Sequence, residues 1–302
     1  TGCSSIYGGN LPSTPYTTNA DGRGPAWANS LFEDNAEFGL GFRLTVDQHR
    51  ERVRRLLASL GDAVPAGLQQ GLQDASLPVS EQRAHIEQLR ALLQGRTDAA
   101  AQELARDADY LVEKSVWLIG GDGWAYDIGY GGLDHVLSLG ENINVLVLDT
   151  QCYSNTGGQQ SKATPLGAIT KFGEQGKRKG RKDLGANVMM YGHVYVAQIS
   201  LGAQMNQTVK AIQEAEAYPG PSLIIAYSPC EEHGYDMAES HEQMKQLTAT
   251  GFWPLYRFDP RRADEGKLPL ALDSRAPNAS LVETLRHEPR FQRLERQLPE
   301  VA

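Results

Sequence analysis

Asp122 stands between two glycines in GDGWAYDIG, directly after the apolar run SVWLIGG. Thr150 and Asn155 follow in DTQCYSNTGG, after a second apolar run, NVLVLDT. A carboxylate in a glycine turn at a strand end faces open space, and glycine lets a phosphate approach the backbone closely. Carboxylate and phosphate repel each other. A Mg²⁺ between them removes the conflict, because hard oxygen ligands suit it. Thr150 and Asn155 add neutral oxygens, and a backbone carbonyl of the same loop can complete the set. The plain alternative is a turn aspartate with a capping Thr and Asn. A second polar loop one helix-length after the first favours the metal reading. Asp149, 26–29 residues after the glycines of Gly120–Gly123, keeps a dinucleotide-binding fingerprint open.

These residues need strands to hold them. SVWLIGG, NVLVLDT and PSLIIAYSP read as short buried strands. NVMMYGHVYVAQI reads as a strand, a turn at Gly192 and the start of a new element. Helices are expected at 128–140 and 203–217. Alternating apolar strands and helices predict an α/β fold, a mainly parallel sheet with helices on both faces. Such folds bind ligands at the carboxyl ends of their strands. Gly120–Gly123, Asp149–Asn155 and Ser228–His233 all fall at such ends. Asp127 is placed to cap the helix at 128, whose amino end would favour an anion. Tyr126 and Ile128 are then candidates to pack against a cofactor.

The rest of the chain divides by composition. Residues 1–42 are rich in Gly, Pro, Ser, Thr and Asn, with Trp27, Asn29 and Asn35 as candidates for ordering near a cofactor. Residues 43–112 carry apolar residues at helical spacing, predicting helices near 45–60, 80–94 and 97–110, with Pro65 and Gly71 at the joints. This block reads as a helical insertion or packing layer. Residues 113–250 form the α/β core, and 251–302 a loop-rich extension ending in one or two short helices.

Bulk properties exclude some classes. The chain has 302 residues and a net charge of −8, which argues against nucleic acid or an anionic membrane as partner. No apolar run approaches a membrane span and no signal-peptide pattern opens the chain, so a cytoplasmic location is expected. Cys3, Cys152 and Cys230 are too few and too far apart for a disulfide framework or a complete metal site. Residues 171–183 hold six Lys or Arg. Their default reading is a solvated loop, and the alternative is contact with an acidic electron carrier or coenzyme A phosphates. His233 reads as a hydrogen-bonding residue and His135 as a half-buried helix residue.

GDGWAYDIGYGGLDHVLS…NINVLVLDTQCYSNTGGQQSKATPLGA resembles the pyrophosphate-binding domain of thiamine-diphosphate enzymes. With TGCSSIYGGNLPSTPYTTNADGRGPAWANSLFEDNAEFG and YSPCEEHG, it resembles more narrowly the pyruvate:ferredoxin (flavodoxin) oxidoreductases. The resemblance covers most of residues 1–42 and 113–275. It implies that Asp122, Thr150 and the Cys152 carbonyl bind Mg²⁺. Gly121, Gly123, Trp124 and Ala125 would border thiamine diphosphate, and Asn155 would lie by the reacting centre. It implies Cys3 and Cys230 as two of four ligands to a [4Fe–4S] cluster, the other two lying upstream. The glutamate that contacts the aminopyrimidine would come from a separate pyrimidine-binding domain. Glu141 is at the wrong end of its strand for that task, and Glu231 and Glu232 lie by Cys230. The implied reaction is oxidative decarboxylation of pyruvate, with acetyl transfer to coenzyme A and electrons passed to ferredoxin or flavodoxin. The full enzyme would be a homodimer, and this chain a piece of it, inactive alone. Another 2-oxo acid, or a non-catalytic cofactor-holding module, are the alternative readings.

Overall fold

A computed structural model describes residues 18–20, 22–28, 30 and 34–297. It divides into two units: Leu40–Val116, and the remainder from Trp117 onward together with residues up to Gly39.

The first helix, α1 (Asn35–Ser59), starts ten residues before 45, inside NSLFEDNAEFGLGFRL, a stretch that reads as a short strand or a helix start. Its two glycines disguise the start. Gly39 is needed for packing, since a Cβ there would meet the Leu118 side chain at 2.5 Å. Then come α2 (Ala66–Gln73), α3 (Val79–Leu93) and α4 (Ala99–Asp107). Pro65 precedes α2 as expected. Gly71 does not mark a joint. It lies inside α2, where the His85 ring occupies the space a Cβ would need. Val53, Leu57, Ile86, Leu89, Leu93 and Leu104 recur at helical spacing and are buried together as the core of this unit.

The second unit is built on a six-stranded sheet of order β1-β2-β4-β3-β5-β6. The strands β1 (Trp117–Gly121), β2 (Asn144–Asp149), β3 (Tyr195–Ile199) and β4 (Ser222–Tyr227) are parallel. Buried on both faces, such strands read as nearly continuous Val, Ile and Leu. The last two strands, β5 (Tyr256–Phe258) and β6 (Leu270–Leu272), the latter at the sheet edge, pair antiparallel. They fall in the stretch expected to be irregular, and at three residues each they are too short to show a period.

The helices of this unit are α5 (Tyr130–Ser138), α6 (Leu184–Met189), α7 (Met205–Glu216), α8 (Ser240–Ala249), α9 (Leu281–Arg286) and α10 (Pro289–Gln297). Ala211 and Ala215 let α7 close against Tyr195, Ala197 and Ile224 of the sheet. The expected strand at NVMMYG is instead α6, capped by Asp183, whose side chain accepts from Ala186 N. The turn at Gly192 is present, with φ 72°, and the strand follows it.

The expected helix at 128 begins earlier. Gly123–Ile128 forms a π-helical turn, in which Gly129 N donates to Trp124 O, before α5 starts. Asp127 therefore lies within the turn and caps nothing. Its carboxylate accepts from Lys162 N at 2.9 Å. π turns are rare and often found at functional sites.

Candidate functional site

Parallel pairing places the ends of β1, β2 and β4 side by side. Gly121 pairs with Leu148, and Asp149 with Tyr227. The chain leaves these ends as Asp122, as Thr150–Cys152 and, three residues past Tyr227, as Cys230. One sheet edge thus gathers residues drawn from three separate stretches of sequence.

Asp122 is 1% exposed. Its Oδ1 lies 2.8 Å from Thr150 Oγ1, and Thr150 Oγ1 lies 2.9 Å from the Cys152 carbonyl. The Thr150 hydroxyl has one proton for these two acceptors. Ser154 Oγ adds a fourth oxygen, 2.9 Å from Thr150 Oγ1. Ser161 Oγ donates to the other carboxylate oxygen at 2.5 Å. Among the described residues no basic side chain forms an ion pair with Asp122. Burial, and then the nearby Asp149 carboxylate, push its acid up to about 7. A carboxylate, a hydroxyl and a carbonyl converging on one point, short of positive charge, are a donor set for a hard cation. They fit Mg²⁺. Among the described residues, no three His, Cys, Asp or Glu side chains gather as a metal cage.

Asp149 is equally buried but solved differently. Arg181 donates to its Oδ2 at 2.7 Å, Tyr126 OH to the same oxygen at 2.7 Å, and Gln151 N to Oδ1 at 3.0 Å. Tyr126 is thereby committed to this network and is fully buried, while Ile128 is exposed.

Trp124 Nε1 is buried and finds no acceptor among the described residues. An indole donor orphaned beside the Asp122 turn fits a ligand rich in acceptor oxygens, as a diphosphate is. The turn glycines explain themselves by contact. A Cβ on Gly120 would lie 2.3 Å from the Trp124 ring, and one on Gly123 would lie 2.4 Å from that of Tyr153. Asn155 lies on the exposed turn of the Thr150 loop.

Cys230 Sγ sits 3.0 Å from Ser154 Oγ, and Cys152 Sγ 3.6 Å from the same hydroxyl. Hydrogen bonding between the two thiols pulls Cys230 down and pushes Cys152 up, so Cys230 is the more acidic. Cys3 and Asn29 lie outside the described residues. Asn35 donates to the Ile119 carbonyl, a structural contact. Neutral His233, its charged form disfavoured by complete burial, ties Cys230's loop to the clamp through Nε2 and the Thr150 carbonyl at 2.7 Å. His135 is exposed rather than half-buried.

The basic segment 171–183 is not a uniformly solvated loop. Arg178 and Lys179 are exposed, but Lys177 is 7% exposed. Its Nζ donates to the carbonyls of Ser161, Lys162 and Thr164 at 3.1, 3.0 and 2.6 Å. Lys177 and Arg181 thus support the clamp from behind. Sequence reasoning missed both, and Ser161, because nothing in their spacing separates inward from outward residues of a loop.

Residues 91–226 match the family model "Thiamine pyrophosphate enzyme, C-terminal TPP binding domain". Over the whole chain the sequence is 78% identical to "Probable pyruvate-flavodoxin oxidoreductase" of Escherichia coli. The chain is thus similar over its whole length to one part of the pyruvate-flavodoxin oxidoreductases. Pyruvate-flavodoxin oxidoreductase of Rhodospirillum rubrum is 56% identical over 96% of the chain. Pyruvate:ferredoxin oxidoreductase of Moorella thermoacetica is 50% identical over all of it. The chain spans 26%, 25% and 26% of these relatives, about a quarter of their length.

Proposed function

We propose that this chain holds the diphosphate end of thiamine diphosphate, through Mg²⁺, in an enzyme that oxidatively decarboxylates pyruvate to acetyl-CoA. The observation that carries this is the convergence of Asp122, Thr150 Oγ1 and the Cys152 carbonyl at the ends of β1 and β2. The names of the relatives supply the substrate and, as acceptor, flavodoxin or ferredoxin.

Bound thiamine diphosphate supplies an electron sink that lets a 2-oxo acid lose carbon dioxide. The chain's own residues bind and orient. Asp122, Thr150 and Cys152 O hold the metal. Gly121, Gly123, Trp124 and Ala125 would border the diphosphate, with Trp124 Nε1 as a donor available to it. Asn155, on the same loop, would lie by the reacting centre. Ser161 keeps Asp122 oriented, and Arg181 neutralises Asp149 so that only Asp122 calls for a cation. Cys230, with Cys3, would ligate a [4Fe–4S] cluster, which would supply one-electron chemistry. Upstream domains supply the pyrimidine-binding half, and the working enzyme is a cytoplasmic homodimer. Among the described residues no helix is long and apolar enough to cross a membrane.

Calorimetry on the full-length protein tests this. Thiamine diphosphate should bind only with Mg²⁺, and Asp122→Asn should weaken that binding by roughly a hundredfold. Wild-type protein that binds no thiamine diphosphate with Mg²⁺, or an Asp122→Asn variant that binds it normally, would overturn the reading.

A further inference from the structure

Thr150 and Cys152 flank a residue that should resist its own conformation. Gln151 has φ 61°, in the left-handed region that non-glycine residues occupy rarely, and it is fully buried. That conformation turns the chain back, so that the carbonyl of Cys152 comes within 2.9 Å of the Thr150 hydroxyl. Strain of this kind persists only where surroundings enforce it.

Three contacts enforce it here. Gln151 N donates to Asp149 Oδ1 at 3.0 Å. Its carbonyl accepts from Thr164 Oγ1 at 2.6 Å. Its side-chain Oε1 accepts from Arg290 at 2.6 Å, across 139 residues of sequence. Arg290 is 5% exposed and held in turn. It donates to Glu288 Oε2 at 2.7 Å, Gln243 of α8 donates to Glu288 Oε1 at 2.8 Å, and the Arg290 carbonyl accepts from Ile169 N. Gln151 Nε2 has no acceptor among the described residues, so the contact its side chain makes is through Oε1.

We propose that Gln151, locked by Arg290 from the C-terminal helix, is a positioning residue for the metal clamp. It touches neither metal nor cofactor. It fixes the turn that aims the Cys152 carbonyl, so that residues 288–290 set the geometry of a site built at the other end of the domain's sequence. The inference rests on the Mg²⁺–diphosphate reading above.

The test is Mn²⁺ binding to the full-length protein with thiamine diphosphate present, read from the electron paramagnetic resonance of free Mn²⁺. Gln151→Met keeps size and loses Oε1. It should weaken Mn²⁺ binding by about 10- to 100-fold, as loss of an outer support does. The metal-free unfolding midpoint should move little. Gln151→Gly relieves the positive φ but removes the lock, and should also weaken binding, deciding the matter if Gln151→Met does not fold. Either folded variant binding Mn²⁺ with wild-type affinity overturns the inference, as does weakening that only tracks lost metal-free stability. Wild-type protein that binds no Mn²⁺ overturns the clamp reading itself and this inference with it.

Discussion

Two aspartates, Asp122 and Asp149, end or follow adjacent strands, and both are buried, yet their electrostatic fates differ. Asp149 has Arg181 at 2.7 Å. Among the described residues, Asp122 has only hydroxyls and a backbone N–H. Its folded acid constant, about 7, lies above the ordinary 3.8, so the metal-free folded state holds a proton that the unfolded state has released. The associated stability is fully present below the ordinary value and is lost as pH rises through about 7. Asp122→Asn, uncharged and nearly isosteric, should therefore gain on the wild type in metal-free urea unfolding as pH rises from about 4 to 7, the difference levelling off above that. Parallel profiles for the two proteins would refute this. Mg²⁺ with thiamine diphosphate should remove the wild-type loss.

At the scale of elements, the clamp depends on a close approach between β1 and the π turn. Gly120 leaves room for the Trp124 ring, whose Cε3 would lie 2.3 Å from a Cβ. Gly120→Ala should cost about 1–3 kcal/mol through overpacking. It should also displace the indole and weaken cofactor binding, visible as an altered tryptophan emission and a lower affinity in calorimetry. Unchanged emission and affinity would show the contact to be indifferent. Of the four parallel strands, β1, β2 and β4 are legible because burial on both faces leaves an apolar run, whereas in the β3 region the strand is expected before Gly192 rather than after it. The segment at α6 was misread because Val188, Met189 and Met190 imitate such a run, while the capping Asp183 that starts the helix stands well before it. β5 and β6 offered no period at all.

At the scale of the whole molecule, the helical unit has its own core. Leu89→Ala, at a fully buried position, should cost that unit about 2–5 kcal/mol, read as faster hydrogen exchange across residues 53–112. Protection there unaffected by the substitution would contradict a shared core. The change from strand to helix spacing made this unit visible in sequence. The clamp was half visible. GDG and DTQCYSNTGG stand out as polar loops after apolar strands, so Asp122 and Thr150 could be read directly. Ser161, Lys177, Arg181 and the Gln151–Arg290 lock could not, because their roles arise from folding distant segments together and leave no spacing behind. Arg290 lies 139 residues from its partner.

Lys177 carries a consequence of a different kind. Its ammonium sits among three carbonyl oxygens, those of Ser161, Lys162 and Thr164. Rings of carbonyls are also how proteins hold a potassium ion, with oxygens standing in for its hydration shell. Here the monovalent cation is tethered to the chain by four methylenes. It cannot dissociate, cannot be exchanged for sodium and is never diluted away. The loop that supports Asp122 thus carries a cation covalently attached to the chain that its carbonyls surround.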